Sequence, residues 1–182
     1  MNRVEFVKQS MFGKILNIGC SYGNFHREIF NKNVHGIDQF PCDIKENFTL
    51  YDVEKGLPYN DGSFDTVIAG EIIESLKNLE FFLKEIKRIL KLDGILILST
   101  PNKNSLINRI FKTYQVKEHI NLMSIEEVES LTSRYLTIEK LFCLPFDEDS
   151  NPTGKFRSLR KLTHPLLPKS LQEDIIILSR KR

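Results

Sequence analysis

The chain has no tryptophan, only three cysteines, and no apolar run of the ~20 residues that a membrane-spanning helix requires. Cys20, Cys42 and Cys143 are too few for a disulfide framework and match no zinc-binding spacing, so we expect reduced thiols. The first residues lack the apolar stretch of a secretory signal peptide. These absences predict a cytoplasmic protein without a transmembrane segment.

The chain also lacks a strong charge of either sign. Its formal net charge is +2, which is too small to favour nucleic acid as a partner. No cluster of histidines and carboxylates has metal-ligand spacing, so we expect no metal site. With 182 residues, of which 41% are hydrophobic and 27% charged, the sequence predicts a packed single domain over residues 1–182.

Short apolar runs alternate with segments of helical periodicity, which predicts an α/β fold, a Rossmann-like three-layer sandwich. The predicted strands are 14–18, 34–37, 48–53, 64–69, 94–101, 137–144 and 175–179. No clear helix separates the last two strands, so we expect a seven-stranded, mostly parallel sheet whose last strand is antiparallel.

Three segments have the signals of helices. The strongest pattern spans 78–92, where Asn78 can cap the start and Gly94 marks the end of an apolar stripe. A shorter helix is expected over 24–31, and a capping box that begins at Ser124 opens another. Residues 145–172 are less regular and are interpreted as an irregular or helical insertion before the last strand.

The stretch ILNIGCSYGNF, residues 15–25, joins a buried strand to a helix through a tight turn. Gly19 and Gly23 allow the backbone to approach a ligand closely, and the following helix directs N–H groups to the same place. Asp38 ends the next strand, where a carboxylate can accept both hydroxyls of a ribose. A nicotinamide-dependent oxidoreductase would usually show G-x-G-x-x-G, which this turn lacks, and a glycine turn without a ligand is the plain structural alternative.

The sequence beyond residue 50 helps to decide between a ligand site, an oxidoreductase and a plain glycine turn. The sequence DVEKGLPYNDGSFDTVIAGEIIESLKN, residues 52–78, closely resembles a stretch of the class I S-adenosylmethionine-dependent methyltransferases. GILILSTPN resembles the fifth strand of that family, and HINLMSIEEVESL resembles the segment that follows it in many small members. Together the similar stretches cover roughly residues 13–142.

The resemblance implies S-adenosyl-L-methionine as the cofactor. It places the glycine turn against the methionine part, Asp38 on the ribose hydroxyls and Asp52 near the adenine amine. The full set of implied cofactor-binding residues is Asn17, Gly19, Cys20, Ser21, Gly23, Asp38, Gln39, Asp52, Val53, Ala69, Gly70 and Glu71.

Three positions depart from the family pattern. Asn17 stands where an acidic residue is usual, Ser21 where a glycine is frequent, and Ser75 where a histidine is common. The first change removes a charge that often helps to hold the methionine ammonium group. These departures leave open a second hypothesis, a catalytically inactive methyltransferase-like scaffold or regulatory partner subunit.

Methyl transfer from a sulfonium depends mainly on alignment and on a group that accepts the departing proton. His119 is the first candidate for that base, because it follows the fifth strand on the side where the acceptor would enter and an imidazole titrates near neutrality. A structural histidine is the alternative. Glu71 is the second candidate, although a role in lining the pocket is favoured for it.

Acceptor specificity in this fold usually comes from segments added to the common core, here 103–121 and 147–172. The resemblance favours O-methylation of a small molecule, or of a glycan or lipid-linked acceptor. Basic and apolar residues over 155–169 suit a packing helix, a lid over an anionic acceptor, or weak contact with a membrane surface. Only about a dozen residues precede the first strand, so we expect an exposed cofactor site and leave a protein partner open.

Overall fold

The computed structural model describes residues 2–21, 24–42, 46–111, 119–144 and 164–182. These residues form an α/β sandwich around one seven-stranded sheet, as predicted. Its strands are β1 (Ile15–Ile18), β2 (Val34–Asp38), β3 (Phe48–Leu50), β4 (Phe64–Gly70), β5 (Leu90–Pro101), β6 (Thr137–Leu144) and β7 (Asp174–Arg180).

The strands lie in the order β3-β2-β1-β4-β5-β7-β6. The pairs from β3 to β5 are parallel, whereas β7 is antiparallel to both of its neighbours. This confirms the prediction of a mostly parallel sheet with an antiparallel last strand. The direction of the strand order reverses between β1 and β4, which is where open α/β sheets bind their ligands, beyond the carboxyl ends of the strands.

The described ranges contain five helices: α1 (Arg3–Ser10), α2 (Asn24–Ile29), α3 (Leu79–Ile89), α4 (Leu106–Phe111) and α5 (Ile125–Ser133). Helix α1 was not among the sequence predictions. It begins with a capping box, in which the Asn2 side chain accepts from the Glu5 backbone and the Glu5 side chain accepts from the Asn2 backbone.

Adjacent residues of the central strands alternate between the two faces of the sheet. Ile15 packs with α1 and α2 in one buried cluster, and Leu16 packs with α3 and α5 in the other. Burial of a side chain of this size contributes about 1.5–3 kcal/mol relative to exposure. Both faces of β1 are therefore covered, which explains its continuous apolar sequence.

The end of α3 differs from the prediction that this helix extends to residue 92. Leu90 has extended backbone angles and pairs with Phe64, so the chain enters β5 directly. Gly94 lies inside β5, next to Asp93 at φ +60°, where the register between β4 and β5 shifts. A Cβ at Gly94 would lie 2.9 Å from the carbonyl oxygen of Lys91, so the glycine serves an irregularity in the strand and does not end the helix.

The third strand is also shorter than predicted. It ends at Leu50, and Val53–Lys55 form a 3₁₀ turn in which the Asp52 side chain caps the Glu54 N–H. The capping carboxylate competes with continued strand pairing, because it accepts the Glu54 N–H at 3.1 Å.

Most of the predicted insertion, residues 145–163, lies outside the described residues. Its last part contains two 3₁₀ turns, His164–Leu166 and Lys169–Leu171, which lead into β7. Within the part of the chain that the structure describes, no helix has both the length and the apolar character needed to cross a membrane.

Candidate functional site

A cavity of about 690 Å³ opens at the carboxyl ends of β1, β2 and β4. Its size is typical of a site for a small molecule or cofactor. The described residues that line it are Arg3, Gly19, Phe25, His26, Asp38, Gln39, Phe40, Asp52, Val53, Glu54, Gly70, Glu71, Ile72, Ser75, Leu76 and Lys77.

The turn after β1 brings bare backbone to the cavity wall. Gly19 has φ +75°, and a Cβ at this position would lie 3.1 Å from Ile72 Cδ1. The positive φ favours glycine, and a side chain here would also press against Ile72. The absence of a side chain leaves a concave backbone surface in the cavity.

Ser21 in this turn forms hydrogen bonds to the end of β2 and to the loop that follows it. Its backbone N–H donates to Asp38 Oδ2 at 2.9 Å, and its hydroxyl donates to the Phe40 carbonyl at 2.5 Å. The side chain that departs from the expected glycine is thus directed towards the loop after β2, where it connects the two loops.

Asp38 is held by two backbone hydrogen bonds. It is 7% exposed, and Oδ1 accepts the Phe40 N–H at 2.9 Å while Oδ2 accepts the Ser21 N–H. Each carboxylate oxygen has a further lone pair, so the group can still accept hydroxyl protons from a ligand. The two backbone bonds fix the direction of those lone pairs.

Asp52 and Val53 form the wall of the cavity near β3. Asp52 is half-buried and caps the 3₁₀ turn, and the following Val53 is buried. Glu54, which was not predicted, accepts the Lys77 N–H at 2.8 Å and joins this turn to the loop after β4.

An ion pair lies at the opposite end of the cavity. Glu71, directly after β4, has φ +54° and pairs with Arg3, with 3.0 Å between Oε1 and Nη1. The same Nη1 lies 3.3 Å from Ser99 Oγ, and the guanidinium stands 4.3 Å from the centre of the Phe25 ring. Helix α1 thus brings a buried cation into the site.

Asn17 lies behind the cavity wall and is fully buried. Its Oδ1 is 3.0 Å from Nδ1 of His26, which lines the cavity. Burial, reinforced by the Arg3 charge, lowers the pKa of His26 to about 3, so this imidazole is neutral near pH 7. The amide at position 17, where an acid was expected, therefore faces a neutral ring.

Glu74 is a second buried acid near the site. It is 1% exposed and accepts the Thr100 hydroxyl at 3.0 Å. Burial, and then the Glu71 charge, raise the pKa of Glu74 to about 8, so the protonated form predominates at neutral pH.

His119 is half-buried and is not among the residues that line the cavity. Two residues further on, the Asn121 backbone donates to the Glu74 carbonyl at 2.9 Å, and its side-chain amide donates to the Leu76 carbonyl. This segment is therefore attached to the cavity wall from outside.

Seven of the predicted cofactor-binding residues meet at the cavity: Gly19, Asp38, Gln39, Asp52, Val53, Gly70 and Glu71. Cys20 and Ala69 are buried beside it, and burial raises the pKa of the Cys20 thiol to about 12.

Gly23 lies outside the described residues. In the described ranges, no group of three or more histidine, cysteine or acidic side chains is placed to hold a metal ion.

Comparison with known proteins identifies the family of the chain. A family model described as a methyltransferase domain matches residues 3–135, which is most of the chain. The rat mitochondrial ubiquinone biosynthesis O-methyltransferase is 30% identical over 110 residues, which cover 51% of this chain and 32% of the rat protein. The ubiquinone biosynthesis O-methyltransferase of Rickettsia conorii is 29% identical over 168 residues, covering 76% of this chain and 56% of that protein. This chain therefore spans between a third and just over half of these curated relatives.

Solved structures share the fold across nearly the whole chain. A Thermotoga maritima protein described as an S-adenosylmethionine-dependent methyltransferase and possible histamine N-methyltransferase has a TM-score of 0.69 at 22% identity, covering 98% of this chain and 87% of its own. A structure described as a complex of the Haloferax volcanii Trm112 methyltransferase activator with a putative methyltransferase matches with a TM-score of 0.70 at 16% identity. The match covers 97% of this chain and 88% of the matched chain.

Proposed function

This chain belongs to the class I S-adenosylmethionine-dependent methyltransferases, and on that premise we propose that it transfers a methyl group to an oxygen atom of a small-molecule, glycan or lipid-linked acceptor. The observation that carries the proposal is the Asp38 carboxylate, held by two backbone N–H groups beside the bare backbone of Gly19 in one cavity.

The residues present fit S-adenosylmethionine. Asp38 offers a rigid carboxylate for the ribose hydroxyls, and Gly19 leaves space that a Cβ would fill. Asp52 and Val53 form a separate wall on the β3 side, where the adenine would be held. Four acidic side chains against two basic ones line the described cavity, and this excess of negative charge suits a cationic cofactor.

When bound, S-adenosylmethionine supplies a methyl group on a positively charged sulfur. The side chains then align the acceptor and exclude water. Phe25, Ile72 and Leu76 provide an apolar wall, which strengthens every charge interaction inside the cavity.

The proton of the acceptor hydroxyl requires a base, and we assign that role to His119. Its segment is joined to the cavity wall through Asn121, whose side-chain amide donates to the carbonyl of the cavity-lining Leu76. Glu71 suits the role less well, because its carboxylate is engaged by Arg3.

An oxygen acceptor is supported by the relatives named for O-methyl transfer in ubiquinone biosynthesis. The exposed face of α4, with Leu106, Arg109 and Ile110 beyond β5, offers apolar and basic groups to an acceptor. The segment over 155–169, proposed for a membrane surface or lid, lies outside the described residues.

The proposal is tested by methyl transfer from labelled S-adenosylmethionine to a panel of hydroxylated rings and sugars, with matched amines in parallel. Methylated hydroxyl products, with a His119→Ala rate at least about 100-fold lower, are expected. His35→Ala is the matched control, because His35 lies on β2 and bonds to Thr49 Oγ1 at 2.8 Å. Transfer to amines alone would contradict the oxygen acceptor, and an unchanged His119→Ala rate would contradict the base.

A further inference from the structure

We propose that Asn121 is a positioning residue, which holds the loop after β4 in the shape that the cofactor cavity requires. The loop, residues 71–77, follows β4 directly, whereas Asn121 lies outside the cavity in the segment that precedes α5. The inference rests on the proposed function. It makes cofactor affinity depend on a residue that is not among the predicted site residues and does not line the cavity.

The loop after β4 forms a large part of the cavity wall. Ile72 packs against the glycine turn, because a Cβ built at Gly19 would lie 3.1 Å from Ile72 Cδ1. A displacement of the loop therefore changes the shape of the cavity. The loop residues that line the cavity are Glu71, Ile72, Ser75, Leu76 and Lys77.

Burial holds this loop only in part. Ser75 and Lys77 are exposed, and the centre of the loop, Ile73–Ser75, is a single 3₁₀ turn without a side-chain cap. Such short turns have poor hydrogen-bond geometry and leave carbonyl groups at their ends without a partner in the turn. The loop therefore needs contacts from outside to keep one shape.

Asn121 supplies two such contacts at the centre of the loop. Its backbone N–H donates to the Glu74 carbonyl at 2.9 Å, and its side-chain amide donates to the Leu76 carbonyl. The two acceptors lie on either side of Ser75. One residue thus satisfies both carbonyls at the end of the 3₁₀ turn and fixes the middle of the loop.

The two ends of the loop are held by other groups. At the start, the Glu71 N–H donates to the Ser99 carbonyl at 2.9 Å. At the end, the Lys77 N–H donates to Glu54 Oε1 at 2.8 Å. Loss of the Asn121 bonds therefore frees only the centre of the loop, which alters the cavity wall and leaves its attachment to the sheet intact.

The segment that carries Asn121 is itself firmly anchored. Met123 forms a parallel bridge with Asn102 at the end of β5, and its carbonyl accepts the Lys103 N–H at 2.9 Å. The next residue, Ser124, caps α5. Asn121 thus connects a fixed support to a loop whose centre lacks one.

The inference predicts a loss of cofactor affinity from a change outside the cavity. Leucine resembles asparagine in size but has no N–H donor, so Asn121→Leu removes the bond to Leu76 and keeps the backbone bond to Glu74. Calorimetric titration with S-adenosylhomocysteine is expected to give an affinity at least about tenfold below that of the wild type, the order of effect when a partly buried carbonyl loses its donor. Asn121→Gln retains an amide donor and should recover part of the affinity.

The same titration separates this role from a contribution to stability alone. A variant that is only less stable contains fewer folded molecules, so the stoichiometry of binding falls while the dissociation constant of the folded fraction is unchanged. Asn121→Leu is expected to raise the dissociation constant at a stoichiometry near that of the wild type.

Asn31→Leu is the matched control, because the Asn31 amide also donates to a backbone carbonyl, that of Ile29 at 3.5 Å, but lies before β2 and does not line the cavity. Its affinity should stay within threefold of the wild type. If Asn121→Leu does not fold, Asn121→Asp tests the same bond, since it keeps the size and polarity of the side chain but presents an oxygen to the Leu76 carbonyl. A folded variant with affinity within threefold of the wild type would overturn this inference alone, whereas a wild type that does not bind S-adenosylhomocysteine would overturn the proposed function with it.

Discussion

The backbone N–H of Ser21 donates to the Asp38 carboxylate over 2.9 Å, which joins the turn after β1 to the acid that ends β2. The two parts of the sequence that most clearly indicated a nucleotide site are therefore one structural unit. A change at either residue should alter both the local stability and the cavity.

Asp38→Asn should lower both the stability of the protein and its affinity for the cofactor. An amide keeps the size of the side chain but places an NH₂ group against one of the two backbone N–H donors, so we expect a loss of about 2 kcal/mol in the free energy of unfolding. Affinity for S-adenosylhomocysteine should fall at least tenfold. Thermal unfolding and calorimetry measure the two quantities, with Asp61→Asn, whose side chain is 81% exposed, as the control. Unchanged affinity in a folded variant would remove Asp38 from the site.

Gly19→Ala should weaken cofactor binding, because the methyl group enters the cavity wall at 3.1 Å from Ile72. Backbone strain at φ +75° adds about 1–2 kcal/mol of destabilisation. Gly62→Ala provides the matched control, since Gly62 also has a positive φ, of +63°, but a Cβ there meets nothing within 4 Å. Both variants should lose stability in urea titrations, and only Gly19→Ala should lose affinity. Equal affinities would show that the turn does not contact the ligand.

His26 should make the protein sensitive to acid. Its pKa is about 3 in the folded state and 6.5 in the reference state, so the unfolded chain binds more protons between these values. Stability from this group is complete above pH 6.5 and falls by about 1.4 kcal/mol per pH unit as the pH drops towards 3. His26→Gln should show a shallower decline than the wild type in unfolding experiments from pH 7 to 4. Parallel curves would mean that His26 does not titrate differently on unfolding.

Glu74 should have the opposite effect. Its folded pKa of about 8 lies above the reference value of 4.5, so the folded protein binds the additional proton, and stability from this group is lost as the pH rises from 4.5 to 8. Glu74→Gln imitates the protonated acid and keeps an acceptor for Thr100. Its stability should gain on the wild type as the pH rises through that range. The exposed Glu80→Gln is the control, and a constant difference between Glu74→Gln and wild type would contradict an elevated pKa.

The sheet and the glycine turn could be predicted from sequence because their signals are local. Aliphatic runs mark the buried parallel strands, and the spacing from Gly19 to Asp38 follows from the turn after β1, one helix and the next strand. The resemblance of residues 52–78 to the methyltransferase family then indicated that Asp52 belongs to the cofactor site.

The contribution of α1 could not be predicted in this way. Arg3 and Glu71 are 68 positions apart, and no periodicity near either residue indicates that they meet. An arginine in a short polar helix is normally a solvated residue. The end of α3 was missed for a similar reason: its apolar stripe continues into Leu90, which pairs with Phe64 in the sheet.

The central claim is tested most directly by calorimetric titration of the wild type with S-adenosylmethionine and S-adenosylhomocysteine, with NAD in parallel. Micromolar binding of both sulfur compounds, lost in Asp38→Ala and absent for NAD, is the predicted result. Absence of binding by either compound at millimolar concentration would contradict the account, and would favour a methyltransferase-like scaffold that acts through a protein partner.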